Sequence, residues 1–197
     1  MTNADLAPIG TPRLATLDDV GELSALITLS IRQLIGAYLD AARVEASHEI
    51  MGLDTQLIED GTYFVVASRD RIAGCGGWSR RATMFGGNHS SGRSTRMLDP
   101  ATEPARVRAM YTHPEFARRG IGTRILGACA AAAAAEGFGM LELVATVAGE
   151  PLYAVNGFSV VERIEVPTTS GVTVPCARMR RPVSIGARRE SLARKGS

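Results

Sequence analysis

The chain has 197 residues, of which 45% are hydrophobic and 21% are charged, an ordinary composition for one globular domain with a substantial core. The formal net charge is only +2 and aromatic residues make up 5%, which argues against nucleic acid as a partner. The three cysteines and three histidines are scattered, so the sequence predicts neither a disulfide framework nor a metal site.

No apolar run reaches the length of a membrane-spanning helix, and the first eight residues lack the basic start and apolar centre of a secretion signal. We therefore expect a cytoplasmic protein without a membrane partner.

Two helices are predicted near the start of the chain. Residues 1–12 hold two prolines and a glycine and are expected to be a flexible lead-in to a short strand at 13–16. Apolar residues then recur at helical spacing over 20–35, with a break at Gly36, and a second helix is predicted over 38–50.

A β-hairpin follows, with strands predicted at 62–68 and 72–78. Residues 79–105 are too polar and glycine-rich for a core element and too long for a simple hairpin loop. This insertion either helps to wall a ligand site or is a mobile surface excursion.

The centre of the chain predicts a strand, a turn and a helix. Residues 107–112 alternate with the period of a strand, which Pro114 ends. The alanine-rich stretch 123–136 consists of good helix formers and is followed by Gly137, which suits a helix end. The turn 118–123 therefore leads directly into a helix N-terminus.

This turn has the properties of a phosphate site. The first N–H groups of a helix have no partner within it, and the helix dipole gives them partial positive charge. Gly120 and Gly122 lack a Cβ atom and so allow a large anion to approach, while Arg118 and Arg119 add charge.

Spacing excludes two common phosphate-binding motifs. A P-loop requires a lysine after the glycines, and none is present. A dinucleotide fingerprint requires a third glycine where Ile125 stands, and the nearest suitable acid, Glu142, lies in the middle of a strand.

The end of the chain predicts a strand at 140–146, a short helix at 151–156, and two final strands at 158–166 and 172–179. Residues 183–197 are expected to form a disordered basic tail.

Two motifs together resemble one family. Arg118-Arg-Gly-Ile-Gly-Thr123, after Met110-Tyr-Thr-His-Pro114, resembles the Arg/Gln-x-x-Gly-x-Gly/Ala signature of the GNAT superfamily of acyl-CoA-dependent N-acyltransferases. Glu150-Pro-Leu-Tyr-Ala-Val-Asn-Gly-Phe158 is similar to the Pro-Phe-Tyr-x-x-x-Gly-Phe segment of that family. They occur in the family's order and spacing, and the resemblance extends over residues 11 to 181.

The resemblance implies an α/β fold in a single domain, residues 13–182. Its twisted mixed sheet has about seven strands, with about four helices packed on both faces. The strand ending at Thr112 and the strand starting near Met140 splay apart, and acyl-CoA lies in the gap.

It also implies the site. The pantetheine arm and the thioester would bind the backbone of Met110, Tyr111 and Thr112. The pyrophosphate would bind the turn formed by Arg118, Arg119, Gly120, Ile121, Gly122 and Thr123. Tyr153 would protonate the departing sulfur; without the resemblance, its more natural role is aromatic packing beside Leu152 and Phe158. No metal is implied.

Two features depart from the family. Residues 146–149 lack the Asn or Ser that many relatives carry before the short helix, so one side-chain contact to acyl-CoA is in question. The central strand has no carboxylate to deprotonate the amine, which leaves Glu103 or a water chain as the base. His113, before a proline at a strand end, is expected to be a surface residue.

The resemblance thus implies an N-acetyltransferase that transfers the acetyl group of acetyl-CoA (coenzyme A) to a primary amine of a small molecule or peptide, by direct attack in a ternary complex. A non-catalytic acyl-CoA-binding regulatory module is the alternative on the same fold. A nucleic-acid partner of the basic tail is disfavoured, and a homodimer is left open.

Overall fold

The fold is built on one seven-stranded mixed sheet, seen in a computed structural model that describes residues 7–90 and 93–184. The strands are β1 Arg13–Leu14, β2 Tyr63–Ser68, β3 Arg71–Ser79, β4 Ala105–Thr112, β5 Met140–Thr146, β6 Ser159–Pro167 and β7 Thr173–Pro182. Their order in the sheet is β1-β2-β3-β4-β5-β7-β6. All neighbours are antiparallel except β4 and β5, which are parallel.

Five α-helices accompany the sheet, one more than expected. They are α1 Val20–Ser30, α2 Ala41–Ile50, α3 Thr55–Glu59, α4 Ile121–Ala135 and α5 Glu150–Val155. The predicted first helix continues beyond α1 as a π-helical segment, Ile31–Ile35, and short 3₁₀ turns lie at Leu17–Asp19 and Pro114–Phe116. None of the described helices has both the length and the apolar character needed to cross a bilayer.

Three buried hydrophobic clusters pack on the sheet: one around α4, one around α1 and a smaller one between α2 and the β6–β7 pair. Consecutive strand residues point to opposite faces, so Val66 packs with Ile125 of α4 while Val65 packs with Leu23 of α1. Both valines are fully buried. Helices therefore cover both faces, which confirms the predicted fold class.

A β-bulge interrupts β4 at its centre. Tyr111 pairs with Cys75 of β3 and Arg108 pairs with Gly77, so β4 contains one residue more than the facing segment of β3. Ala109 in this bulge has φ = 52°, a left-handed conformation rare for alanine. The carbonyl of Ala109 accepts a hydrogen bond from the hydroxyl of Tyr63 at 2.8 Å.

Strands β4 and β5 separate soon after they meet. Among the described residues they share only two pairs, Ala105 with Leu141 and Arg106 with Glu142. Beyond Arg106 the remainder of β4 has no partner on the β5 side, so the expected splay of the central strands is present.

A buried charge cluster lies where the two strands meet. Glu142 is 2% exposed, forms an ion pair with Arg106 of β4, and accepts hydrogen bonds from Arg178 and Arg180 of β7 at 3.0 and 2.7 Å. This carboxylate links three neighbouring strands at the start of the splay.

Residues 7–10 contact α4 and the turn before it. Residues 1–6 of the predicted flexible lead-in lie outside the described residues. Residues 7–10 have no regular secondary structure, but Arg119 donates to the carbonyl of Ala7 at 2.7 Å and Arg124 to that of Ile9 at 2.9 Å. The predicted tail beyond residue 184 also lies outside the described residues.

Candidate active site

The splay between β4 and β5 opens into a cleft. It encloses about 650 Å³ of empty space, part of which is open to solvent. Its walls are formed by the end of α2, the insertion, β4, β5, α5 and β7. The residues that line it are Ile50, Met51, Met84, Phe85, Gly86, Val107, Arg108, Ala109, Met110, Tyr111, Val144, Thr146, Gly149, Tyr153 and Cys176.

The turn before α4 presents a run of free backbone donors. No N–H group from residue 118 to residue 123 donates a hydrogen bond to any described residue. Arg118 and Gly120 have φ values of 61° and 76°, and left-handed residues in such a turn bring successive N–H groups together. The geometry fits the predicted anion site, at the N-terminus of a 15-residue helix.

The two glycines of this turn have different roles. A Cβ atom on Gly120 would meet nothing within 4 Å, so its surroundings leave room for a large anion. A Cβ atom on Gly122 would lie 2.6 Å from Cδ2 of Leu152 in α5. The missing side chain of Gly122 allows α5 to pack against α4, and the approach of an anion to its backbone stays a prediction.

The two arginines also differ. The Arg118 side chain is exposed at the turn, as expected of a group that attracts phosphate. The Arg119 side chain donates to Ala7, and its guanidinium lies 5.6 Å from the centre of the Phe116 ring. Both partners are neutral, so the guanidinium keeps its charge, and its contribution to phosphate binding stays a prediction.

The last two turn residues contribute through their backbone. Ile121 is 1% exposed and its side chain belongs to the core on the α4 face of the sheet. Thr123 is exposed, and its hydroxyl accepts a hydrogen bond from the amide of Asn156 at 3.1 Å. This contact joins the two sequence motifs, since Asn156 follows α5.

The predicted β4 residues lie beside the splay. Met110 and Tyr111 line the cleft and point to opposite faces of the sheet. The hydroxyl of Tyr111 accepts a hydrogen bond from the N–H of Gly52 at 2.9 Å. Thr112 is the last residue of β4, and the β5 side of this segment is unpaired.

Tyr153 lines the same cleft as Met110 and Tyr111. Its side chain is 8% exposed, and its ring stands edge-on to Phe158 with 5.8 Å between ring centres. Burial raises the pKa of its phenol well above the usual value, so the hydroxyl keeps its proton at neutral pH. Tyr153 therefore packs against Phe158 and also lines the cleft, while its role as a proton donor stays a prediction.

Glu103 is not placed to act as a base. Its carboxylate accepts hydrogen bonds from the Arg96 guanidinium at 2.7 and 2.8 Å, and Glu103 is not among the residues that line the cleft. The hydrogen bonds from Arg96, with one from the backbone of Asp99, lower the pKa of Glu103 to about 2. A carboxylate so strongly stabilised in its charged form is a weak proton acceptor.

His113 has a structural position. It is 8% exposed, its Nδ1 accepts from the N–H of Glu115 at 3.2 Å, and its Nε2 lies 3.0 Å from the Arg71 guanidinium. The expectation of a surface residue was wrong. No group of three or more His, Cys, Asp and Glu side chains suited to a metal ion occurs in the described parts of the chain.

One buried ion pair beside the cleft was not predicted from the sequence. Asp54, which is fully buried, caps α3 and contacts Arg108 of β4 at 2.6 Å. The pair brings together residues far apart in sequence, and neither belongs to a local motif. The insertion contributes Met84, Phe85 and Gly86 to the cleft, so part of it forms a wall.

Comparisons with known proteins support the fold. Comparison with curated proteins gives no match. Solved structures of the same fold include a GCN5-related N-acetyltransferase from Rhodopseudomonas palustris, with a TM-score of 0.66 at 17% identity, covering 90% of this chain and 98% of that one. The PaiA N-acetyltransferase from Thermoplasma acidophilum, in complex with coenzyme A, has a TM-score of 0.59 at 12% identity, with coverages of 89% and 99%.

YncA from Salmonella typhimurium, with its cofactor acetyl-CoA, has a TM-score of 0.57 at 15% identity, covering 93% of this chain and 98% of that one. At such identities these structures establish the fold alone. The model of the acetyltransferase (GNAT) domain family matches residues 59–160, about half of the chain. The chain therefore belongs to the GNAT acetyltransferase family.

Proposed function

We propose that the protein is an N-acetyltransferase that transfers the acetyl group of acetyl-CoA to the primary amine of a small molecule or peptide. The observation that carries the proposal is the unpaired edge of β4, which lies beside the free N–H groups of the 118–123 turn and opens into the cleft that contains Tyr153. A long phosphorylated ligand with a reactive end fits this arrangement.

The residues present suit coenzyme A. The turn offers several N–H donors without a partner among the described residues, and Gly120 leaves open space beside them. The unpaired side of Met110, Tyr111 and Thr112 suits the amide groups of a pantetheine arm, which would hydrogen-bond as a neighbouring strand does. When bound, acetyl-CoA supplies an acyl group activated by a thiolate leaving group.

The chain's own groups then have distinct roles. A β4 N–H group that donates to the thioester oxygen would stabilise developing negative charge, typically by about 3 kcal/mol. Tyr153 holds a proton at its phenol oxygen and is the proposed donor to sulfur. In the transfer, the amine nitrogen bonds to the acetyl carbon, the carbon–sulfur bond breaks, nitrogen loses a proton and sulfur gains one.

The amine attacks directly while both substrates are bound. The cleft is lined by residues of α2, the insertion and β7 as well as by β4 and α5, and these additional walls form the proposed acceptor site. Since Glu103 is paired with Arg96 and does not line the cleft, a chain of water molecules is the proposed route for the proton that leaves nitrogen.

An acceptor screen tests the proposal. The protein is mixed with acetyl-CoA and a panel of amines, and free thiol is measured over time against a reaction without protein. Coenzyme A at about 100 times its dissociation constant should stabilise the fold by about 2.7 kcal/mol. Amine-dependent thiol release supports the enzyme, whereas stabilisation without turnover of any amine would favour a regulatory acyl-CoA-binding module.

A further inference from the structure

Arg108 gives the cleft a fixed positive charge. Of the described residues that line the cleft, Arg108 alone is charged, and it is only 5% exposed. Its guanidinium is held at two points, by Oδ2 of Asp54 at 2.6 Å and by the carbonyl of Gly86 at 2.8 Å. The Gly86 contact ties Arg108 to the part of the insertion that walls the cleft.

The third nitrogen of this guanidinium has no partner. Nε of Arg108 is shielded from solvent and donates to no described residue. Buried N–H groups are nearly always hydrogen-bonded, because leaving one unpaired costs free energy. An oxygen atom of a ligand that reached this group would remove that cost.

The charge balance around Arg108 also favours an oxygen ligand. Asp54 pairs with Arg93 as well as with Arg108, so two guanidinium groups share one carboxylate. The surplus positive charge repels an ammonium group and attracts a carbonyl or carboxylate oxygen. Near neutral pH an amine enters such a site more readily when its pKa is low, and the α-amino group of a peptide, with a pKa of about 8, is far better suited than lysine at about 10.4.

The other walls favour an apolar acceptor. Ile50, Met51, Met84, Phe85 and Val144 line the cleft with aliphatic, thioether and aromatic surface. A second groove shares Ile50 and Phe85 with the cleft and continues along Thr168 and Thr169, which leaves space for an acceptor longer than one residue. The cleft thus combines an apolar lining with one charged side chain, that of Arg108.

We propose that the acceptor is an α-amine, that is, an amine with a carbonyl or carboxylate oxygen on the adjacent carbon and an apolar side chain, and that Arg108 binds this oxygen. The inference rests on the proposed function and specifies its acceptor class. Peptide N-termini and free amino acids share this chemistry. Arg108 is then the specificity-determining residue of the amine site.

The first test uses acceptors matched in their apolar part. Thiol release from acetyl-CoA is measured with L-leucine, L-leucinamide, a tripeptide beginning with leucine, 3-methylbutylamine and Nα-acetyl-lysine. We expect kcat/KM for the best leucine derivative to exceed that for 3-methylbutylamine, which lacks the oxygen, by about tenfold or more. The free acid and the tripeptide distinguish the two sources of the α-amine.

The second test replaces Arg108. Arg108→Lys retains a cation for Asp54 but removes the guanidinium, so the preference for leucinamide over 3-methylbutylamine should fall to within about threefold. Arg96→Lys is the matched control, because Arg96 also lies in the insertion region but pairs with Glu103 away from the cleft. This control should keep the full preference.

The outcomes separate this inference from the proposed function. If 3-methylbutylamine and Nα-acetyl-lysine react as well as the leucine derivatives, the α-amine class is wrong while amine acetylation stands. If no amine reacts although coenzyme A binds, the proposed function fails as well. Should Arg108→Lys fail to fold, as its melting curve would show, the comparison of acceptors with the unaltered protein still decides.

Discussion

Gly122 lies directly against Leu152: a Cβ atom on the glycine would come within 2.6 Å of Cδ2 and 3.0 Å of Cδ1 of the leucine. This contact joins the first turn of α4 to α5, the helix that carries Tyr153. The second glycine of the phosphate motif therefore positions the proposed acid.

We predict that Gly122→Ala destabilises the protein by about 0–2 kcal/mol, because the overlap of the added methyl group with Leu152 costs about 1–3 kcal/mol and alanine returns about 1 kcal/mol of helix propensity. Gly127→Ala is the matched control in the same helix, since a Cβ atom there meets nothing within 4 Å, and it should stabilise by about 0.5–1 kcal/mol. Urea unfolding measures both. Equal effects of the two substitutions would contradict the contact between Gly122 and Leu152. In a Leu152→Ala background, Gly122→Ala should cost less stability than it does in the unaltered protein.

If the phosphates bind at the proposed turn, one substitution there should have opposite effects on stability and on coenzyme A binding. Thr123→Glu places a carboxylate in the first turn of α4, where the helix dipole favours negative charge, so the fold should be no less stable apart from the loss of the Asn156 contact. The same carboxylate should repel the phosphates and weaken coenzyme A binding by about tenfold or more.

Ala131→Glu makes the same charge change at an exposed position of α4, well beyond the turn, and should leave coenzyme A affinity unchanged. Isothermal titration and melting curves give both quantities. Unaltered affinity in Thr123→Glu would place the phosphates elsewhere.

Tyr153→Phe keeps the ring that packs against Phe158 and removes only the hydroxyl. If the hydroxyl protonates sulfur, kcat should fall by roughly 10²-fold or more, with coenzyme A affinity and melting temperature little changed. Because burial raises the pKa of this phenol, its deprotonation should not limit the rate of the unaltered enzyme at any pH below about 10. Turnover within a few-fold of the unaltered enzyme would assign Tyr153 to packing alone.

Glu103 supplies a prediction about pH. Arg96 lowers the pKa of Glu103 from its ordinary 4.5 to about 2, so the pair contributes stability above about pH 4.5 and loses it as the pH falls toward 2. In Glu103→Gln the melting temperature should therefore fall less steeply across this interval. Activity at neutral pH should stay within about twofold, because Glu103 does not line the cleft; a large loss would restore it as the candidate base.

Removing the carboxylate where β4 and β5 meet should be costly. Glu142→Gln leaves the largely buried guanidinium of Arg106 without its ionic partner, and we expect a loss of about 3–5 kcal/mol in denaturant unfolding. Glu162→Gln also removes a partner of Arg178, but at the surface, and should cost less than about 1 kcal/mol.

The long periodic elements could be predicted from the sequence. The alanine-rich helix was expected over 123–136 and occurs at Ile121–Ala135, and the strand expected over 107–112 occurs at Ala105–Thr112. Each element is long enough to show its hydrophobic periodicity and the residues that typically end it. Helix α3 has five residues, too few for a hydrophobic period, and it was missed.

The free N–H donors of the 118–123 turn were also predictable, because the first N–H groups of any helix have no hydrogen-bond partner within it. Contacts between distant segments were not. Nothing near Arg119 indicates that it will donate to Ala7, and nothing near Gly122 indicates that Leu152 will pack on it. The left-handed Ala109 in the β4 bulge has no sequence signal either, since alanine does not favour that conformation.

The splay of β4 and β5 has a further consequence for how the protein holds together. With only two backbone pairs joining these strands in the described structure, the sheet is two smaller sheets connected at one end. A pantetheine arm bound along β4 would act as an additional strand and complete the interrupted hydrogen-bond ladder. Amide hydrogen exchange along the free edge of β4 should then slow sharply when coenzyme A is added. The stability of the contact between the two halves of the sheet would therefore depend on the concentration of the acyl donor.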